Sequence, residues 1–199
     1  MTSLNLKPPI VDTDIWVYLV LSGLENRVIN YYGYLQFSDV VEKEILRWKK
    51  NEGESKNIAL NFIDNKKSKK LRVIDFDEFE TIEKLSINHQ LNEYGLKEVN
   101  VVEKNKGEFA SLLYALHKRI TKFKTNDRNF KKEIGTEIQN EIMIINWEDV
   151  LEEFSKTTRE KYELQQLLNK KEKIMKQQKI AYKRIKQDPR WEKLLMLVH

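Results

Sequence analysis

Residues 10–16 read Ile-Val-Asp-Thr-Asp-Ile-Trp: an apolar run, broken by two carboxylates one residue apart and resumed at once through Leu21. A short apolar run of this kind near the start of a chain reads as a strand buried on both faces, the type found at the centre of a parallel sheet. Asp12 then stands at the carboxyl end of that strand. In open α/β sheets the carboxyl ends of the central strands form the crevice where ligands bind, and a carboxylate there is placed to hold a cation. A plainer reading competes with this one: Asp12 and Asp14 cap the following helix, because Asp at a helix start accepts a backbone hydrogen bond.

The remaining composition narrows the choice. At 199 residues and 40% hydrophobic content, the chain can build one ordinary domain and an appendage. It holds no cysteine, which excludes disulfides, thiolate catalysis and Cys-based zinc sites. The sequence shows no charged segment leading into a long apolar stretch and a small-residue cleavage site, and the run Ile15 to Leu21 is too short to span a bilayer. A cytoplasmic location with no membrane contact is expected. The net charge of +5 is unevenly placed: residues 156–199 carry thirteen Lys or Arg against five acids, a net of +8, so residues 1–155 carry −3. A mildly acidic body with a basic tail fits a protein that keeps a cation in a cleft and touches a polyanion, although a solvated Lys-rich helix has the same composition.

Along the chain, residues 28–32 end a helix at Gly33, and residues 34–37 form a second strand. Ser38 or Asp39 caps a helix from Val40 to about Lys50, with Val40, Val41, Ile45 and Trp48 on its apolar face. Residues 52–70 read as a short helix and a basic loop. A strand is expected over 71–76, a helix over 77–94 stopped at Gly95, and a strongly apolar helix over 107–116 with Glu108 in its first turn. A carboxylate there either balances the helix dipole or serves a ligand. Residues 123–127 end in Asp127, a helix follows over 128–135, Ile142 to Asn146 closes the sheet, and Trp147 to Phe154 forms the last helix of the body. Strands alternating with helices over this length predict an α/β fold, a parallel β-sheet sandwiched by helices.

Asp12 and Asp127 thus end strands, while Glu44 and Glu108 lie in the first two turns of helices flanking the same crevice. In this pattern the chain resembles the PIN domain family over about residues 8–155. Ile10-Val-Asp-Thr-Asp is similar to the family's opening strand end, and Phe37-Ser-Asp-Val-Val-Glu-Lys-Glu44-Ile to its second acidic site. Gly107-Glu108-Phe-Ala-Ser-Leu-Leu-Tyr-Ala resembles its Gly-Glu helix start, and Thr125-Asn-Asp127-Arg-Asn-Phe its Thr-Asx-Asp element.

The resemblance implies a metal-dependent nuclease, most often an endoribonuclease, and in many members the toxin of a toxin–antitoxin pair. Phosphodiester hydrolysis needs an activated water and neutralisation of charge on the transition state, which one or two Mg²⁺ or Mn²⁺ ions supply. Such hard cations take carboxylate oxygens and keep waters, which accounts for acids without His or Cys. Asp12, Glu108 and Asp127 are the expected metal ligands, with Glu44 as a further ligand or a water-holding group; Glu42 replaces Glu44 if the helix is rotated. Asp14 either orients a water or caps a helix, Thr125 and Thr13 are turn residues or substrate contacts, and Asn126 stands where the family pattern often has a second acid. His89, His117 and His199 show no ligand spacing.

The segment 156–199 lies outside the resemblance. Leu167, Ile174 and Ala181, and likewise Leu168, Met175 and Tyr182, recur at seven-residue spacing, so residues 156–186 read as one amphipathic helix ending at Asp188-Pro189. One expectation is that this stripe packs on the body and presents Lys170, Lys171, Lys173, Lys183, Arg184 and Lys186 to RNA phosphates. The other is that it binds a protein, either an antitoxin or a second copy of the chain. A catalytically silent RNA-binding or interaction module acting through this basic helix is the alternative to a nuclease.

Overall fold

The computed structural model describes residues 8–103, 106–126 and 136–187, without the side chains of 136, 137, 139 and 182–187. Asp127, the expected helix over 128–135 and the residues after Gln187 lie outside the described set. Five strands, β1 (Ile10–Val11), β2 (Leu35–Ser38), β3 (Leu71–Ile74), β4 (Lys122–Lys124) and β5 (Met143–Ile145), form one sheet in the order β3-β2-β1-β4-β5. All four pairings are parallel. Ile10 and Val11 are both fully buried, as their apolar run predicts for a strand covered on both faces.

Alternation along the strands divides the interior in two. Val11, Leu35, Phe37 and Ile145 face one core, and Ile10, Ile74 and Phe123 the other. In the first core Trp16, Phe37 and Phe62 meet edge to face in all three pairings, with centroids 5.0–5.6 Å apart. The helices on this face are α1 (Thr13–Ser22), α2 (Glu25–Tyr32) and α4 (Glu54–Lys67). The other face carries α5 (Thr81–Glu93) and α6 (Lys106–His117), while α3 (Asp39–Arg47) packs against both α4 and α6 at the edge. Two short helices, α7 (Thr136–Glu141) and α8 (Trp147–Phe154), flank β5, and α8 begins at an Asn146 cap whose side chain accepts from Asp149 N–H.

Several boundaries differ from the sequence reading, each for a local reason. Residues 52–70 hold one fourteen-residue helix, α4, because Ile58, Ala59 and Phe62 bury against α1 and hold together a segment whose polar residues mask its periodicity. The helix expected from Asp77 starts at Thr81, since Asp75 and Glu78 cap a separate 3₁₀ turn over 76–78. Trp48 belongs to a 3₁₀ turn (Trp48–Lys50) beyond the end of α3.

The largest consequence comes from α1. Ile15, Trp16, Val17, Leu19 and Leu21 are all buried, so this helix is apolar nearly all round and must be covered on the side away from the sheet. A thirty-residue helix, α9 (Thr158–Gln187), supplies that cover. It packs chiefly on α1 and also on α4 and α8, burying Leu168 and Met175 in the first core. Gln178 Oε1 accepts from Glu54 N–H at the start of α4, and Arg27 of α2 donates to Glu160 at 2.8 Å and to the Phe154 carbonyl. Of the two expected seams, the one through Leu168 and Met175 faces the body. Leu167 is 38% exposed. Among the described residues no helix is long and apolar enough to cross a membrane.

If α9 is an integral cover, its two neighbouring leucines differ in weight. Leu168→Ala should cost about 2–5 kcal/mol in urea unfolding, as for a buried Leu elsewhere. Leu167→Ala should cost within about 0.5 kcal/mol, as for surface positions. Equal, small effects would mean that α9 does not share the core.

Candidate functional site

The sheet order sets the position of the site. Strand order reverses at β1: β2 and β3 lie on one side, β4 and β5 on the other. The carboxyl ends of β1 and β4 therefore border the crevice where this architecture places ligands. Asp12 N–H donates to the Lys124 carbonyl at 3.0 Å, which fixes the residue after β1 beside the residue after β4. A cleft of about 590 Å³ opens there, lined by Asp12, Asp14, Glu44, Glu103 and Glu108 together with Thr13, Gly107, Arg47 and Trp48.

Asp12 reconciles the two readings of its sequence position. It is the N-cap of α1, with Oδ1 accepting from Ile15 N–H at 2.8 Å. Its other oxygen, Oδ2, is buried and lacks a hydrogen-bond partner of good geometry among the described residues. The Thr125 hydroxyl donates to Glu108 Oε1 at 2.5 Å and also bears on the Asp12 carboxyl, whose charge it favours. Burial above all, and then the charges of Glu108 and Asp14, hold the Asp12 carboxyl well above the usual carboxylate range against the opposing Thr125 and Ile15 donors. A buried carboxylate oxygen with no donor costs stability unless something compensates its charge.

Glu44 is held from two elements. Thr13 Oγ1 donates to Glu44 Oε2 at 2.6 Å, and the backbone amide of Gly107, in the first turn of α6, supports the same carboxylate. A Cβ at Gly107 would lie 3.0 Å from Glu44 Oε2 and 3.1 Å from Oε1, so the absence of a side chain lets this group approach the helix. Burial raises the Glu44 pKa, with Asp14 adding to the rise, while Thr13, Arg47 and Gly107 oppose it. Glu42 points elsewhere and pairs with Lys66 at 2.5 Å. Glu44 is thus the acid of α3 that reaches the cleft.

Of the other expected residues, Asp14 is exposed at the cleft, and Thr125 is buried behind it. Asn126 Nδ2 donates to the Tyr18 hydroxyl of α1 at 3.3 Å. Burial, followed by the charges of Glu172, Asp14 and Asp12, pushes the Tyr18 hydroxyl up to about 12. Asp127 lies outside the described residues. Lys170 and Lys173 are exposed on α9 and Lys171 is half-buried, whereas the side chains of Lys183, Arg184 and Lys186 lie outside the described set. Arg47, Trp48 and Glu103 line the cleft without having been singled out. Arg47 follows Glu44 by three residues, hence on the same face of α3, which was the available signal.

Asp12 and Glu108 are the described residues that could hold a divalent cation, though not as a closed cage. Among the described residues no three acidic or imidazole side chains are placed to hold one ion together. Asp12 Oδ2 and Glu108 instead offer two carboxylates, and a Mg²⁺-like ion fills its remaining positions with waters.

The raised Asp12 pKa makes a prediction of definite sign. A carboxyl that binds its proton more tightly when folded lowers stability as pH rises from the ordinary value of 3.8 through the folded one. Asp12→Asn removes that loss and keeps a capping side chain. Without metal, the variant should melt above the wild type at neutral pH, and the gap should close by about pH 3, below the unfolded value. Mn²⁺ should raise the melting temperature of the wild type and leave the variant unmoved.

Compared with known proteins, the chain matches no family model, no curated protein and no solved structure.

Proposed function

We propose that the protein is a metal-dependent nuclease of PIN type, an endoribonuclease that hydrolyses phosphodiester bonds with one or two Mg²⁺ or Mn²⁺ ions. The observation that carries the reading is the buried Oδ2 of Asp12, without a well-placed hydrogen-bond partner among the described residues and set beside Glu108 where strand order reverses. The parallel sheet with helices on both faces, which the PIN resemblance requires, supports it.

In this reading Asp12 and Glu108 hold the metal, joined by Asp127. Bound there, the ion would neutralise phosphate charge and lower the pKa of a water. Thr125 fixes the Glu108 carboxylate through its hydroxyl, so Glu108 does not have to be ordered on binding. Glu44, tied to Thr13 and Gly107 at the other side of the cleft, orients a water or accepts its proton at Oε1, since Oε2 already takes the Thr13 proton. Asp14, exposed at the rim, adds negative charge that favours a cation. The exposed lysines of α9 and the excess of base in residues 156–199 provide for a polyanion.

The test is cleavage of a single-stranded RNA and of total RNA by purified protein in Mn²⁺, Mg²⁺ or EDTA. Activity should require metal. The double variant Asp12→Asn, Glu108→Gln should lose at least about 100-fold, and Glu44→Gln about 10–100-fold, the cost of removing an outer-sphere partner. A wild type that binds RNA but leaves it intact under all three conditions would favour the silent RNA-binding module. The toxin role would follow if a small partner protein, co-expressed, suppressed the cleavage.

A further inference from the structure

The cleft has a second side that the proposed metal chemistry does not use. Arg47, in the last turn of α3, is exposed, and its charge bears on Glu44 across the cleft lining. It lines both the acidic cleft and an adjoining groove of about 280 Å³ that runs past Val40, Val99 and Val101 and shares Glu44 and Glu103 with the cleft. The other two cations of that groove are committed. Lys43 pairs with Asp39 at 2.5 Å, and Lys106 donates to the carbonyls of Glu98 and Val101. An exposed guanidinium between two connected grooves has the geometry for an anion that bridges them.

Next to it, Trp48 lines the cleft as a half-buried indole. Lys179 of α9 holds its ammonium over that ring, 5.3 Å from its centroid, so the long helix brings a cation beside the indole from far along the chain. A guanidinium and an indole at one opening, with an ammonium over the indole, form a combination that binds an unpaired nucleotide when the ammonium turns from the ring to the phosphate and the base takes its place on the aromatic face.

We infer that Arg47, Trp48 and Lys179 form a subsite for one unpaired nucleotide of an RNA strand, adjacent to the acidic cluster, and that α9 is thereby part of the substrate-binding surface. A base inside a duplex cannot reach an aromatic platform, so the subsite selects single-stranded RNA over a hairpin stem. The inference deepens the nuclease reading and rests on it only for the identity of the ligand as RNA.

Binding is measured without turnover, as fluorescence anisotropy of a labelled RNA decamer and of a blunt RNA hairpin in EDTA. Trp48→Leu, which keeps apolar bulk on the core side, should weaken decamer binding roughly tenfold, the loss of one stacked base. Trp48→Phe should restore most of it, and hairpin binding should not change. Arg47→Ala and Lys179→Ala should each weaken the decamer and each reduce the slope of log affinity against log salt by about one. Melting temperatures near that of the wild type separate these effects from misfolding. Decamer binding by Trp48→Leu and Arg47→Ala equal to that of the wild type overturns the subsite, even if cleavage is intact. Loss of decamer binding in these variants supports it, even if the wild type cleaves nothing in metal.

Discussion

The 3.0 Å bond from Asp12 N–H to the Lys124 carbonyl ties the end of β1 to the end of β4, and the rest of the cleft is arranged around that junction. Parallel pairing of these two strands puts the residues that follow them side by side at the switch in strand order. Asp12 then meets Thr125, Thr125 reaches Glu108 at the start of α6, and Thr13 reaches across to Glu44 on α3. Four elements distant in sequence are linked through two threonine hydroxyls. Both hydroxyls donate to a glutamate, Thr125 to Glu108 and Thr13 to Glu44.

That arrangement is costly as a piece of folding. Burial and neighbouring charge both oppose ionisation of Asp12 and of Glu44, and a core tuned only for stability would place a neutral side chain there. Strain of this type at a cleft is commonly compensated elsewhere. Here the compensation is the two-sided core, with its aromatic triad of Trp16, Phe37 and Phe62 directly beneath the start of α1.

Much of this was legible in the sequence, because the signals were local. The apolar run around Ile10, the cap at Ser38 and the glycine stop after Tyr32 each rest on a few adjacent residues, and the structure places them accordingly. The grouping of Asp12, Glu44 and Glu108 followed from their positions at strand ends and helix starts. What could not be read depended on distant partners. Lys124 sits in a strand that looks half polar, yet it is fully buried, its ammonium within 5.2 Å of the Tyr32 centroid and 5.7 Å of that of Phe154, 3.9 Å from Glu153. Burial pulls its pKa down to about 8. Nothing near residue 124 announces aromatic rings from α2 and α8. Arg47 and Trp48 were similarly hidden, since their meaning comes from the groove between elements and from Lys179.

The folding of α9 onto α1 has a consequence in time as well as in space. Chains emerge from synthesis amino end first, and domains tend to fold as their segments appear. Helix α1 is among the earliest elements made, and the helix that covers it is the last described one. Until Leu168 and Met175 arrive, the growing chain carries the outer face of α1 uncovered, and Trp48 lacks its Lys179 neighbour. Closure is a long-range contact, late and slow by the measure of sequence separation. The nascent body is therefore most prone to sticking to other chains, or to a chaperone, in the interval before its own carboxyl-terminal helix reaches it.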